Sequence, residues 1–162
     1  MPKTSDLQRY LNNNGIPYSI IEHEPVFSAH GVALATHAVD KECAKSVILS
    51  IDNRYWMAVL RADEGISMHL VKLLFGAREV QMAHEENLGH LFPDCQLGAM
   101  PPFGNLYGLP ILLDASLLDD EEITFNACTV TKSIRMRMED YRRLVHPLIG
   151  RFAQPIFVRS EE

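Results

Sequence analysis

The 162-residue sequence predicts a mixed α/β fold of the α+β kind, with a central mixed β-sheet flanked by short helices. Three observations predict it. Two alternating apolar runs, "AKSVILSI" and "RYWMAVLR", stand on either side of Asp52-Asn53, which is the pattern of a hairpin. Short helical patterns with their own stops are interspersed irregularly with further short apolar runs. The steady strand–helix alternation of a doubly wound sheet is not there. Residues 1–162 read as one domain, with no repeat, linker or low-complexity segment.

The elements follow from local chemistry. Thr4 or Ser5 caps a helix running through Asn13, with Leu7, Tyr10 and Leu11 on one face and Gly15 beyond its end. "YSIIEH" reads as a strand that Pro25 interrupts. A second helix is expected from Ser28 in "SAHGVALATHA", weakened by Gly31. After the hairpin, "SMHLVKLLFG" has a helical pattern closed by Gly76, and "AREVQMA" follows as a strand. "HEENLGHLF" is a short helix ended by Pro93. "PILLD", "EITFNA" and "KSIRMRM" read as strands, and "EDYRRLVHPLI" as a C-terminal helix limited by Pro147.

Composition excludes several classes. With 47% hydrophobic and 22% charged residues, the chain is far from the disordered regime. No apolar run reaches the length of a membrane span, and "MPKTSDLQRYLNNNG" lacks the apolar core of an export signal, so a cytoplasmic location is expected. Cys43, Cys95 and Cys128 show no CxxC spacing and are expected as reduced thiols. No GxSxG elbow, phosphate-binding P-loop or GxGxxG turn is present. His30 and His37, or His84 and His90, have no cysteine or carboxylate at ligand spacing, so neither a metal nor a cofactor is expected.

A net charge of −6 argues against broad nucleic-acid binding, and DNA is not an expected partner. One segment differs. Between residues 132 and 151, Lys132, Arg135, Arg137, Arg142, Arg143 and Arg151 face only Glu139 and Asp140. That segment is either a local face for a phosphate backbone or an ordinary solvated helix surface.

Two features point to chemistry. "LGAMPPFGNLYGLPILLD" sets three glycines and three prolines among apolar residues. Prolines fix φ, so "MPPFG" is organised before a ligand arrives, while glycines let a ligand approach the main chain. Such a loop either presents backbone groups to a pocket, as an oxyanion site requires, or serves as a rigid connection. Lys45 is the second feature, the only charge in "CAKSVILSI". Alternation puts it on one face with Val47 and Leu49, either snorkelling at a sheet margin or facing an anionic or polar ligand.

Taken in order, "AKSVIL", "GAMPPFG", "LLD" at Asp114 and "FNACTVTKSIRMRMEDYRRLV" resemble the YbaK/EbsC family. That family includes freestanding aminoacyl-tRNA deacylases and the inserted editing domain of bacterial prolyl-tRNA synthetases. The resemblance covers most of the chain and implies that mixed α/β editing-domain fold and hydrolysis of the ester joining a wrong, small amino acid to tRNA. By it, Lys45 lines the acyl pocket and contacts the terminal phosphate or the substrate. Gly98, Ala99, Met100, Pro101, Pro102, Phe103 and Gly104 form a wall that holds the aminoacyl group and orients water. Lys132, Arg135, Arg142 and Arg143 dock the acceptor end. An aminoacyl-tRNA synthetase or elongation factor is the kind of partner that would supply tRNA selectivity; no membrane partner is expected. Many relatives carry "FNAGTHT" where Cys128 and Val130 stand here. Both residues fall in the substrate site, where Cys128 narrows the pocket and Val130 lacks the hydrogen bonding of a histidine. The alternative is a binding module of the same fold that holds aminoacyl-tRNA, or a small amino-acid-like ligand, with weak turnover or none.

Overall fold

The hairpin centred on Asp52-Asn53 is the middle of the molecule. In the computed structural model, which describes residues 4–25, 42–96 and 98–156, β2 (Ala44–Ile51) pairs antiparallel with β3 (Arg54–Arg61) in continuous register from Ala44↔Arg61 to Ile51↔Arg54. Asp52 and Asn53 both have positive φ, 47° and 68°, the backbone that a two-residue turn between right-twisted strands requires. Around this hairpin a five-stranded mixed sheet forms in the order β5-β2-β3-β6-β9. β5 (Val80–Met82) is antiparallel to β2, whereas β6 (Ile111–Asp114) and β9 (Leu148–Gly150) continue the sheet in parallel.

A second, antiparallel sheet has the order β1-β8-β7, from Tyr18–Glu22, Lys132–Arg137 and Glu122–Asn126. A parallel bridge between Cys43 and Thr124 joins its margin to the entry of β2. β4 (Glu64–Ile66) and β10 (Ala153–Pro155) form a separate two-stranded ladder.

Alternation along the hairpin divides the core in two. Ala44, Ile48, Met57 and Val59, with Ile111 and Leu113, belong to a first cluster shared with Phe125, Ile134 and Met136 of the second sheet. Leu7 and Leu11 of α1 (Thr4–Asn13), Phe92 at the end of α3 (Glu85–Leu91) and Tyr141 of α4 (Met138–Val145) belong to it as well. Leu49, Ile51, Ala58, Leu60 and Leu112 face the other way, against Val71 of α2 (Met68–Phe75) and Phe152. Ser67 caps α2 by accepting the Leu70 N–H at 3.2 Å, and Gly76 ends it in the left-handed region at φ 58°.

The mixed sheet and short helices are therefore as the sequence predicts. The helix expected from Ser28, with His30 and His37, lies outside the described residues. Among the described residues, three strands have no counterpart in the sequence reading: β4, β9 and β10, each three residues long. Runs of that length carry no period, and their pairing is decided by the strands beside them. The last helix accordingly stops at Val145, with His146 left-handed at φ 46°, and Leu148 and Ile149 join the sheet instead.

Asp114 ties the ends of this arrangement together. Its Oδ1 accepts the Phe152 and Ala153 N–H groups at 2.9 and 3.0 Å, and its Oδ2 accepts the Ser116 N–H at 3.1 Å and the Ser116 hydroxyl. Burial alone would raise the carboxyl, but these four donors outweigh it and hold Asp114 below the ordinary carboxylate value. A depressed native value stabilises above the unfolded value and is lost as pH falls through the native one. Asp114→Asn is expected to cost about 2 kcal/mol at neutral pH, because one buried charged acceptor of main-chain donors disappears. Urea denaturation between pH 7 and 3 checks it: the gap between wild type and variant should close as the pH drops below about 4.

Candidate active site

The glycine–proline loop is held against the turn after β7 by main-chain bonds. The Cys128 N–H donates to Ala99 O at 2.8 Å, and the Gln96 N–H donates to Cys128 O at 3.0 Å. The Gln96 side chain adds a third link, its Oε1 accepting the Val130 N–H at 2.9 Å. Further along, the buried Tyr141 hydroxyl donates to Pro102 O at 2.6 Å. Phe103 is fully buried, with edge-on contacts to Tyr10, Phe125 and Tyr141. Gly98 needs its φ of 85° to start the loop. Gly104 is packed so closely that a Cβ would stand 3.1 Å from Leu109 O and 3.2 Å from the Met57 Cβ. Pro101 and Cys128 meet Tyr107, Asp6 and Asp94 around a small cavity of about 210 Å³.

Cys128 itself has φ 70°, a left-handed conformation that costs a non-glycine residue roughly 1–2 kcal/mol. The expectation of three reduced thiols is corrected here. Cys128 and Cys95, 33 residues apart, form a disulfide, with their Cα atoms 4.4 Å from each other, and Cys43 is a buried cysteine outside that bond. The physical reason is tertiary: the loop–turn bonds bring together two residues that nothing in their spacing relates. The Tyr107 hydroxyl lies 3.3 Å from the Cys95 Sγ and 3.6 Å from the Cys128 Sγ. Cys128 is thus a wall of the small cavity. Val130 is buried, and its side chain brings no polar group to the turn.

Lys45 stands across from Leu60 and shares its face with Val47 and Leu49. Met100 and Phe103 of the loop pack into the cluster on the opposite face. The structure therefore brings the loop, Cys128 and Val130 together, and places Lys45 on the other side of β2. Burial pushes the half-buried Lys45 ammonium below the ordinary lysine value, and the Asp63 and Glu64 carboxylates oppose that. Ser46, the next residue, alternates toward the loop side, and its buried hydroxyl has no hydrogen-bond partner among the described residues. Burial, followed by the Asp114 and Asp63 charges, raises Glu64 above the ordinary carboxylate value.

The four basic residues do not share one surface. Arg142 and Arg143 of α4 line a broad groove of about 1040 Å³ together with Arg137, His146, Glu121, Glu122 and Glu139. Lys132 and Arg135 lie on β8, where they pair across the ladder with Glu22 and Ser19, and the Arg135 Nε donates to Thr124 Oγ1 at 3.3 Å. Arg143 pairs with Asp140 at 3.0 Å, and Arg137 with Glu139 at 3.3 Å.

Residues 23–144 match the model of the aminoacyl-tRNA editing domain. The chain belongs to that family. An Escherichia coli (strain K12) protein, the multifunctional Ser/Thr-tRNA deacylase ProXp-y, is 25% identical over 147 residues, covering 88% of this chain and 87% of its own. A proline–tRNA ligase of Bacillus cereus (strain AH187) is 27% identical over 74 residues, 46% of this chain but 13% of the ligase. Among solved structures, a protein described as a candidate trans-editing enzyme for prolyl-tRNA synthetase superposes with a TM-score of 0.84 at 19% identity, covering 95% of this chain and 98% of that one. At that identity the likeness speaks for the fold, the mixed α/β editing-domain fold.

Four neighbours of this editing domain's candidate site escaped the sequence reading: Gln96, Tyr141, Ser46 and Glu64. For Glu64 a signal was available, since the hairpin register sends "RADE" past the end of β2 where Lys45 stands. The other three depend on tertiary contact alone.

The geometry of Cys128 generates a prediction with two signs. Cys128→Gly removes the left-handed penalty, and under reducing conditions the variant should be about 1 kcal/mol more stable than wild type. Under oxidising conditions it lacks the cross-link, whose closure of a 33-residue separation is worth roughly 3–4 kcal/mol in the chain-entropy account. The order should then reverse. Denaturant unfolding of both proteins with and without dithiothreitol checks this.

Proposed function

We propose that the protein is a trans-editing deacylase: it hydrolyses the ester of a tRNA mischarged with a small amino acid. Water adds to the ester carbonyl, the bond to the ribose oxygen breaks, and a free amino acid and an uncharged tRNA leave. The observation that carries this reading is the preorganised loop in a domain of this family. Its carbonyls at Ala99 and Pro102 are tied down, and its prolines have no N–H to give. The Ala99 and Phe103 N–H groups are used within the loop, by Gln96 O and Pro101 O, whereas the Met100 N–H meets no main-chain carbonyl among the described residues. A fixed donor of that kind suits an oxyanion that develops during attack. An aminoacyl ester is already reactive, so orientation together with such a donor suffices without a protein nucleophile.

Lys45, from the second face of the sheet, supplies a positive charge for the terminal phosphate, and Ser46, on the loop side, a hydroxyl with no hydrogen-bond partner among the described residues. The whole of residues 1–162 acts as one editing unit in this reading. Gly98 to Gly104 with Cys128 and Val130 bound the acyl group, and Lys132, Arg135, Arg142 and Arg143 meet the acceptor end. A synthetase or elongation factor would hand over the tRNA, in the cytoplasm. Val130, apolar where relatives carry a histidine, favours a second reading: a module that binds aminoacyl-tRNA without turning it over.

Deacylation of tRNAs charged with alanine, serine, threonine or cysteine decides between the two readings. Hydrolysis of at least one ester is expected, with kcat/KM reduced about 100-fold or more by Lys45→Ala. Bound tRNA whose ester survives establishes the binding module, and neither binding nor hydrolysis defeats both.

A further inference from the structure

The second face of the sheet carries a row of polar side chains. The parallel bridge between Cys43 and Thr124 sets the entry of β2 beside β7. Two residues beyond it on each strand stand Lys45 and Asn126, and alternation turns both to the face of the bridged pair. Asn126 lies opposite Ser133 of β8, and Ser133 opposite Ile21 of β1. The His23 N–H donates to Thr131 O at 2.9 Å and extends that ladder by one step, so His23 falls on the same face as Ile21. Register thus sets His23, Ser133, Asn126 and Lys45 across one face.

The contacts along this row fix where its protons are. The His23 Nδ1 lies 2.8 Å from Glu24 O, and a carbonyl oxygen only accepts, so Nδ1 carries the ring proton. Nε2, 2.8 Å from the Ser133 Oγ, is then an acceptor in the neutral ring, and the Ser133 hydroxyl donates to it. Ser133 is fully buried and has one proton to give. With that proton committed to His23, none is left for Asn126. Its Oδ1 stands 3.4 Å from the Ser133 Oγ, longer than the roughly 2.5–3.0 Å of a hydroxyl bond. Among the described residues no other hydrogen bond holds the half-exposed Asn126 amide. Its carbonyl oxygen is therefore open to a donor from outside the chain.

We propose that Asn126 is a further substrate-binding residue, whose Oδ1 accepts the free hydroxyl of the terminal ribose, and that His23 positions it by taking the Ser133 proton. This rests on the editing reading above, and the experiment separates the two. The donor follows from the neighbourhood. Lys45 brings a positive charge to the same face, which disfavours the α-ammonium of the aminoacyl group there and suits the terminal phosphate. The ribose follows that phosphate directly, and once one of its hydroxyls is esterified the vicinal one remains to donate. A Ser133 hydroxyl turned toward Asn126 would draw the amide inward, away from that donor. His23 prevents this by claiming the proton first.

Acceptor-end RNA hairpins carrying alanine, serine, threonine or cysteine through a 3′-amide report binding without hydrolysis. Each is made with the ribose 2′-hydroxyl or with hydrogen in its place. Wild type should bind the tightest hydroxyl form about tenfold better than its deoxy counterpart, and Asn126→Ala should erase that difference. His23→Phe should weaken binding of the hydroxyl form about fivefold, and adding Ser133→Ala should restore it, because no proton is then left to capture the amide. A merely structural loss at His23 would not be repaired by removing a second group. Nitrogen-15 NMR should place the His23 ring proton on Nδ1. A ring proton on Nε2 overturns the positioning role, as does a His23→Phe defect that Ser133→Ala leaves in place. Equal binding of the two forms by wild type, or a preference that survives Asn126→Ala, overturns the assignment of Asn126, whatever happens to the esters. If wild type binds none of the hairpins, the editing reading itself fails and this one with it.

Discussion

Everything in this molecule is referred to the register of the β2–β3 hairpin. Its strands are covered on both faces, by two apolar clusters that share no residue. Side chains on a strand alternate, so a slip by one residue would exchange the two faces entirely. Ile48 and Met57 would leave the cluster that carries Phe103, and Lys45 would be driven into it. The left-handed pair Asp52-Asn53 prevents the slip by fixing a two-residue turn. The position of one charged residue is thus set by a turn seven residues away, at the far end of its strand.

The loop has a different source of order. Pro-Pro restricts the chain before folding, but a restricted chain still has to be attached. Attachment comes from carbonyl groups, at Ala99 and Pro102, each accepting from a buried partner. Buried carbonyls left unpaired are expensive, so each bond penalises movement of the loop as well as favouring its present place. Phe103 then anchors the loop to α1, β7 and α4 at once, through Tyr10, Phe125 and Tyr141. The left-handed Cys128 is tolerated within this frame because its N–H and its carbonyl are both used to join loop to turn.

What could be read in advance was what period and punctuation encode. The hairpin, the helix closed by Gly76 and the loop itself all follow from patterns within about ten residues. Family resemblance added the order of Lys45, the loop and Asp114. The three-residue strands β4, β9 and β10 could not be read, unlike β5, since β9 and β10 exist only because β6 and β4 offer them edges. Nor could the Cys95–Cys128 bond, which reflects where a loop lands and not how far apart two cysteines lie. The basic segment was legible as composition but not as a surface, because strand β8 and helix α4 send its charges in different directions. Asp114 was legible as a position, while its part in holding Phe152 and Ala153 needed the fold.

The distribution of charge narrows how an editing domain of this kind would choose its substrate. Arg137 and Arg143 are each matched by an acid at hydrogen-bonding distance, and Glu121 and Glu122 face the same groove. Exposed pairs of this sort contribute little to stability, but they cancel the field that would steer a polyanion. With a net charge of −6, the chain is not built to grip a long stretch of phosphate backbone. On the proposed reading only a few phosphates at the acceptor end are neutralised, each contributing a slope of about 0.7 to the salt dependence of a single-stranded contact. Discrimination then has to come from the acyl end. There a methylene is worth only about 1–3 kcal/mol, and a wall that gives way by a fraction of an ångström forfeits it. That is the physical reason for the loop to be as firmly bonded as it is.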